Sequence, residues 1–191
     1  SLVIPVFNES TEIDNFFSDI KNCNFNLINE IILVDDCSTD NSYELLKKAI
    51  NEFSVESFKI NFILIKNSKN RGYGLSIKKG VNKSNNDSIA IIDLDRTYKI
   101  EDLNYIANQF INDYKLEYDL ISGQRKIDTT NTSRLKIIGK TIINFITNFC
   151  FNEKIIDYNS GLRVFNKSKF IKHSHMMSDR FSLTTSMTIT F

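Results

Sequence analysis

Two clusters of carboxylates stand where short apolar runs stop. After Ile31-Ile32-Leu33-Val34 comes Asp35-Asp36-Cys37-Ser38-Thr39-Asp40, and after Ile89-Ala90-Ile91-Ile92 comes Asp93-Leu94-Asp95. Asp93 and Asp95 are two apart, so on an extended backbone their side chains share one face, and a small bend lets them converge. Converging carboxylates repel unless a cation lies between them. Oxygen-only ligands suit Mg²⁺ or Mn²⁺, which take one or two carboxylates and complete the shell with a substrate's phosphates. A plainer reading of the D-x-D stands beside this one: Asp93 caps the next helix and Asp95 is solvated in a turn.

Further polar segments follow the other apolar runs. Pro5-Val6-Phe7-Asn8-Glu9-Ser10 closes the first, where proline stiffens the exit and the polar groups start a helix. Asn70-Arg71-Gly72-Tyr73-Gly74 closes the third, and its glycines allow a close backbone approach to a ligand. Each of these, taken alone, reads better as an ordinary turn. His173-x-His175 reads as solvated loop in a polar stretch, and Lys66, Lys69, Arg71, Lys78 and Lys79 as a solvated basic face.

These residues need a scaffold, and the hydrophobic pattern supplies one. Apolar runs at 2–6, 31–34, 60–65, 89–92 and 120–121 are too short for helices and rich in β-branched residues, as buried strands are. Between them Ile13, Phe16, Phe17 and Ile20 keep helical spacing, as do Leu103, Ile106, Ala107, Phe110 and Ile111. Leu45, Leu46, Ala49, Ile50 and Phe53 form a third apolar face, entered through Asp40 or Ser42 as N-cap. The alternation predicts an α/β fold with a mainly parallel central sheet and helices on both faces. Ligands in such sheets bind at the carboxyl ends of the strands, where the polar segments stand.

Composition narrows the partners. With 24 Lys and Arg against 23 Asp and Glu, the net charge of +1 creates no long-range field, so nucleic acid is not an expected partner. Content of 41% hydrophobic and 25% charged residues excludes a disordered tail or a fibre. A single proline and six glycines without a Gly/Ser tract leave no linker, so one domain over 1–191 is expected. Cys23, Cys37 and Cys150 are odd in number and lack a zinc pattern, which points to a reduced, cytoplasmic setting. No apolar run approaches the roughly 18 to 20 residues that span a bilayer, and no secretory leader is read ahead of Ser1. The chain opens already in a strand and closes mid-pattern at Phe191, so a longer natural protein is expected.

Taken in order, Pro5-Val6-Phe7-Asn8-Glu9, Val34-Asp35-Asp36-Cys37-Ser38-Thr39-Asp40, Asn70-Arg71-Gly72-Tyr73-Gly74, Asp93-Leu94-Asp95 and Asp157-Tyr158-Asn159-Ser160-Gly161-Leu162-Arg163 resemble the family 2 glycosyltransferases of GT-A fold. The set is most similar to their dolichyl-phosphate mannose synthase and polyprenyl-phosphate glycosyltransferase branch. The resemblance implies a Rossmann-like GT-A domain, with residues 1–123 binding a nucleotide-sugar and 124–191 facing the acceptor. It implies that Pro5, Phe7, Glu9, Asp35 and Asp36 surround the base and ribose, a carboxylate being able to accept a ring N–H of uracil or guanine. Gly72 and Gly74 match the glycine loop beside the nucleotide, Asp93 the nucleotide-side aspartate, and Asp95 the metal ligand. Asp93, Asp95 and Thr97 thus form the expected shell of a Mg²⁺ or Mn²⁺ ion, with threonine where the family often has Gln or Ser.

The same resemblance assigns the acceptor side. Arg125 in Ser122-Gly123-Gln124-Arg125 and Arg134 in Ser133-Arg134 match arginines that face the acceptor phosphate, which guanidinium groups grip by paired hydrogen bonds. Arg163 is a third such contact, with Asp157 as its orienter. The apolar-rich stretch between Ser133 and Phe151 matches amphipathic helices lying on the membrane surface, and a core-packed helix fits its periodicity equally. The implied reaction is inverting transfer of a hexose from a UDP- or GDP-sugar to polyprenyl phosphate, at the cytoplasmic face of a membrane. A lipid phosphate is already anionic at neutral pH and needs no general base; a glycan hydroxyl, the alternative acceptor, would need one, with Asp157 as candidate. Two other classes compete. Asp93-Leu94-Asp95-Arg96-Thr97 also matches the nucleophile motif of haloacid-dehalogenase-like phosphatases, with Asp93 attacking phosphate, although that motif belongs on a first strand. A non-catalytic nucleotide-binding module is the other.

Overall fold

In the computed structural model, which describes residues 1–23, 25, 27–55, 60–114, 117–124 and 157–191, the apolar runs join into a six-stranded sheet of order β3-β2-β1-β4-β6-β5. β1 (Leu2–Val6), β2 (Glu30–Asp35), β3 (Asn61–Lys66) and β4 (Ser88–Ile91) are parallel. β6 (Arg163–Asn166) lies between β4 and β5 (Leu120–Ser122), antiparallel to both.

Burial on both faces explains why the central strands are almost uninterruptedly apolar. Leu2, Ile4, Val6, Ile31 and Leu33 face one side, against α1 (Ile13–Asn22), α2 (Ser42–Val55) and α4 (Ile100–Gln109). Val3, Ile32, Val34, Ile89 and Ile91 face the other, against α3 (Tyr73–Lys83), α5 (Lys167–His173) and α6 (Leu183–Thr190). Successive residues thus serve opposite layers, as the pleat requires. The expected α/β architecture is present. Two details differ from the expectation: Phe110 and Ile111 leave α4 for a wider π-type turn at Phe110–Tyr114, and no apolar run announced β6.

Register decides where the polar segments emerge. Val6 pairs with Asp35 and Asp35 with Lys66, so β1, β2 and β3 end side by side. β4 runs parallel to them, and the next residues are Ile92 and Asp93. Because β6 is antiparallel and starts at Arg163 opposite Ile91 and Ser122, the loop before it and the exit of β5 come to that same edge. Segments spread from Pro5 to Arg163 are therefore brought to one rim of the sheet. Cys23 and Cys37 are free thiols, and Cys150 lies outside the described residues.

Candidate active site

The rim is built by loops that tie one another down. Asn8, at φ 59°, accepts the Thr39 amide at 2.8 Å through its side-chain oxygen, and its own amide donates to Ser38 Oγ at 3.0 Å. The Glu9 amide donates to Ser42 Oγ (2.8 Å) and the Ser10 amide to Asp40 Oδ2 (3.2 Å). Asp40 Oδ1 accepts the Ser42 amide at 3.0 Å, which gives Asp40 the helix-starting role expected of it.

Asp36 is the anchor of the glycine loop. Its Oδ1 accepts from Asn67 Nδ2 and the Arg71 amide, both at 2.8 Å, and its Oδ2 accepts the Gly72 amide at 2.6 Å. A carboxylate offers about four acceptor sites, so one remains on Oδ2 for a ligand N–H. Asp35 differs: it is fully buried, accepts only the Ser38 amide (3.3 Å), and its Oδ1 has no partner among the described residues.

Across the rim, Tyr73 Oη donates to Asp93 Oδ1 at 2.9 Å, and a Cβ at Gly161 would overlap Asp93 Oδ2. The carboxylate is thus held from two elements. Burial first, and the Asp93 charge next, push the Tyr73 hydroxyl well above its ordinary pKa, so it remains a neutral donor. Asp95 Oδ1 accepts the Thr97 amide at 2.9 Å, and Arg96 between them sits at φ 60° and pairs with Asp19 at 3.2 Å. Glu9 feels the cluster: burial, then the charges of Asp95, Glu12, Asp93 and Asp40, raise its pKa. The site concentrates negative charge, and a hard cation suits its oxygen donors.

These groups line a cleft of about 330 Å³. Its wall includes Pro5, Phe7, Glu9, Asp36, Gly72, Asp93 and Asp95, with Tyr73, Arg180 and Phe181 closing one side. Asp35 and Gly74 stand behind the wall rather than on it. Gly74 has a different office from the expected one: a Cβ there would come within 2.5 Å of the Ser178 carbonyl oxygen. What approaches the glycine loop is the chain's own segment 178–180.

Arg163 also meets a different geometry from the expected one. It is fully buried, donating to the Ser160 carbonyl (2.9 Å), the Tyr158 carbonyl (2.7 Å) and Thr188 Oγ1 (2.8 Å). Burial lowers its pKa to about 10, against the opposing pull of Tyr73 and Asp157. The guanidinium braces the 157–162 loop against α6 and has no surface from which to meet a phosphate. Asp157 is 7% exposed and accepts the Asn159 amide at 3.2 Å. Arg125, Arg134 and the expected helix between Ser133 and Phe151 lie outside the described residues.

The remaining motifs resolve plainly. Lys66 covers the Tyr43 ring, Lys79 donates to Asn67, and Lys78 pairs with Asp179, so much of the basic cluster is engaged within the protein. His173 ends α5 and His175 is exposed on the next short turn. Among the described residues no group of three or more His, Cys, Asp or Glu side chains is arranged so that it could hold a metal ion by itself. No helix among them is long and apolar enough to cross a membrane. Sequence reasoning missed Arg180 and Phe181, whose place on the wall follows from the fold and not from any spacing.

Comparison with known proteins agrees with this geometry. The family model described as glycosyl transferase family 2 matches residues 1–174. A UDP-N-acetylglucosamine–dolichyl-phosphate N-acetylglucosaminyltransferase of Methanococcus voltae is 31% identical over 179 residues, covering 87% of this chain and 69% of that protein. A dolichol-phosphate mannosyltransferase of Pyrococcus furiosus is 25% identical over 127 residues, covering 66% of this chain but 33% of that protein. Among solved structures, glucosyl-3-phosphoglycerate synthase from Mycobacterium tuberculosis, in complex with Mn²⁺, UDP-glucose and phosphoglyceric acid, superposes with a TM-score of 0.72 at 13% identity. That match covers 99% of this chain and 63% of the other, a likeness of fold, the GT-A architecture. The phosphatase reading finds no support, and both oxygens of its would-be nucleophile Asp93 are hemmed in, by Tyr73 and by Gly161. With the family model spanning nearly the whole chain, the protein belongs to glycosyl transferase family 2.

Proposed function

We propose that this chain is the catalytic domain of an inverting hexosyltransferase that uses a UDP- or GDP-sugar and delivers the sugar to polyprenyl phosphate at the cytoplasmic face of a membrane. The observation that carries the reading is the convergence of Asp36, the Gly72 loop, Asp93 and Asp95 on one cleft at the carboxyl edge of the sheet. The lipid-phosphate acceptor is favoured by the relatives, whose names specify dolichyl or dolichol phosphate.

In this reading Pro5, Phe7 and Asp36 hold the base, the free lone pair of Asp36 Oδ2 accepting a ring N–H, while Asp35 fixes the turn behind them. Asp93 and Asp95, with the Thr97 hydroxyl, would hold Mg²⁺ or Mn²⁺, and the fit rests on their oxygen-only chemistry and on their charges, which add to burial in raising Glu9. A divalent ion there supplies charge neutralisation for the departing diphosphate. Tyr73 and Gly161 keep Asp93 in place before substrate arrives, so little reorganisation accompanies the reaction. The acceptor oxygen is anionic already, so the chain need only aim it at the anomeric carbon; Arg125 and Arg134 are proposed for that task. Arg163 acts indirectly, by bracing the loop that packs on Asp93.

The test is transfer of radiolabelled sugar with and without polyprenyl phosphate, after a thermal-shift panel of UDP- and GDP-sugars in Mn²⁺. Label should enter organic solvent only with the lipid, and Asp95→Asn should lower turnover by about 100-fold or more. Label that stays in water with a glycan acceptor would sink the lipid assignment; undiminished activity in Asp95→Asn would sink the metal assignment.

A further inference from the structure

The proposed substrates are anions, yet the cleft wall carries Glu9, Asp36, Asp93 and Asp95 against one cation among the described residues, Arg180. Of the other cations near the rim, Arg163 is buried, Arg96 pairs with Asp19, Lys78 and Lys79 bind Asp179 and Asn67, and Arg71 is exposed next to Gly72 but is not part of the cleft wall. Arg180 is different. Its backbone amide donates to Ser178 Oγ at 3.1 Å, while its side chain is exposed along the cleft.

The chain goes to some length to put it there. Lys78 Nζ donates to the Met177 carbonyl (2.7 Å) and to Asp179 Oδ1 (2.6 Å), and the Leu75 amide donates to the Asp179 carbonyl at 3.0 Å. Ser186 Oγ accepts the Ser178 amide at 3.0 Å, and the Leu183 amide donates to the Arg180 carbonyl at 3.1 Å. Gly74 admits the Ser178–Asp179 backbone, and Gly72, at φ 95°, admits the Arg180 stem, whose Cδ would lie 2.9 Å from a Cβ at that position. Phe181 next to it is 84% exposed and stacks on Tyr73 at 5.9 Å, 18° from parallel, over the residue that holds Asp93.

We infer that Arg180 binds the diphosphate of the nucleotide-sugar donor, the guanidinium forking onto its oxygens while Phe181 and Tyr73 wall that side of the cleft. The inference rests on the function proposed above. The donor is favoured over the acceptor phosphate because the Arg180 stem lies on Gly72, whose amide binds Asp36, the residue proposed for the base. A planar, permanently charged fork matches two phosphate oxygens at once, which an ammonium cannot do.

Calorimetric titration of the whole chain with UDP, GDP, uridine and guanosine, in Mn²⁺ and in EDTA, tests this. Arg180→Gln should weaken binding of the preferred diphosphate by about 10- to 100-fold, leave the matching nucleoside unchanged, and melt like wild type without ligand. Arg180→Lys should recover only part of the loss. Unchanged diphosphate affinity in Arg180→Gln overturns the inference, and if the KM for polyprenyl phosphate rises instead, the guanidinium serves the acceptor. If wild type binds neither diphosphate, the functional reading itself fails and takes this one with it.

Discussion

Glu9 shows how single residues report the electrostatics of the cleft. Burial and then Asp95 raise its pKa, so between the ordinary carboxylate range and the raised value the native chain holds more protons than the unfolded one. Stability then falls as pH rises through that window, because ionising Glu9 adds a charge to Asp93 and Asp95. Asp40 has the opposite sign and a lower window. Burial alone would raise it, but hydrogen bonds from Ser42 and Ser10 outweigh that and bring it to about 2, so its contribution is lost only as pH falls toward that value. Comparing wild type with Glu9→Gln cancels Asp40. In metal-free protein the two should melt alike near pH 4, and wild type should fall progressively below the variant toward pH 7, from about the ordinary Glu range upward. Mn²⁺ should close the gap; parallel melting curves without metal would show that Glu9 does not feel the pair. Sequence alone located these carboxylates at strand ends because strand and charge pattern are both local. It could not show that Asp36 secures Arg71 and Gly72, whose amides lie 35 and 36 residues further on, or that Arg163 is enclosed. Burial of a charged side chain depends on its neighbours in space, which spacing does not encode.

Elements were legible in proportion to how much apolar surface they bury. β1 stands where its run stands, and β2, β3 and β4 depart by a residue at their ends, since each run is packed on two faces. β6 escaped because Arg163-Val164-Phe165-Asn166 is short, begins with a charge and ends with a cap: Asn166 Oδ1 accepts the Ser168 amide at 3.0 Å. Its position between β4 and β5 also breaks the expected sequence of parallel neighbours. The contact between α3 and β1 turns on a residue whose importance only packing reveals. A Cβ at Gly80 would overlap Val3 Cγ1 and come within 3.3 Å of Val34 Cγ2, so α3 lies unusually close to the sheet. Helix propensity alone favours alanine over glycine by about 1 kcal/mol. Overpacking against β1 opposes it, and Gly80→Ala should be destabilising by about 1 to 3 kcal/mol in urea titration. A more stable variant would mean that α3 can retreat from the sheet without loss.

At the scale of the molecule, the sheet has two unlike ends. At one, Glu30 accepts from Ser1 Oγ at 2.5 Å and from the Asn85 amide at 3.0 Å, so buried polar groups satisfy each other within the protein. At the other, the charges of Asp93 and Asp95 bear on Glu9, Arg180 stands across the cleft, and the loops are joined by side-chain bonds and not by strand ladders. Such loops open locally at lower free energy than the core, and a ligand that bridges them raises that free energy by its own binding. Because the bridging segments come from distant parts of the chain, a nucleoside diphosphate with Mn²⁺ should protect 7–10, 36–41, 70–74, 93–97 and 178–181 together in hydrogen–deuterium exchange. Amides at 29–31 and 85–88, at the far end of the same strands, should exchange as before. The cooperativity is the informative part. Arg180→Gln should reduce protection of 178–181 and of the 70–74 loop packed against it, while 36–41 keeps its response to the base. Protection confined to 93–97, with the other segments unmoved, would mean that the metal pair and the nucleotide cleft are separate sites, and that the common rim of the sheet does not act as one surface.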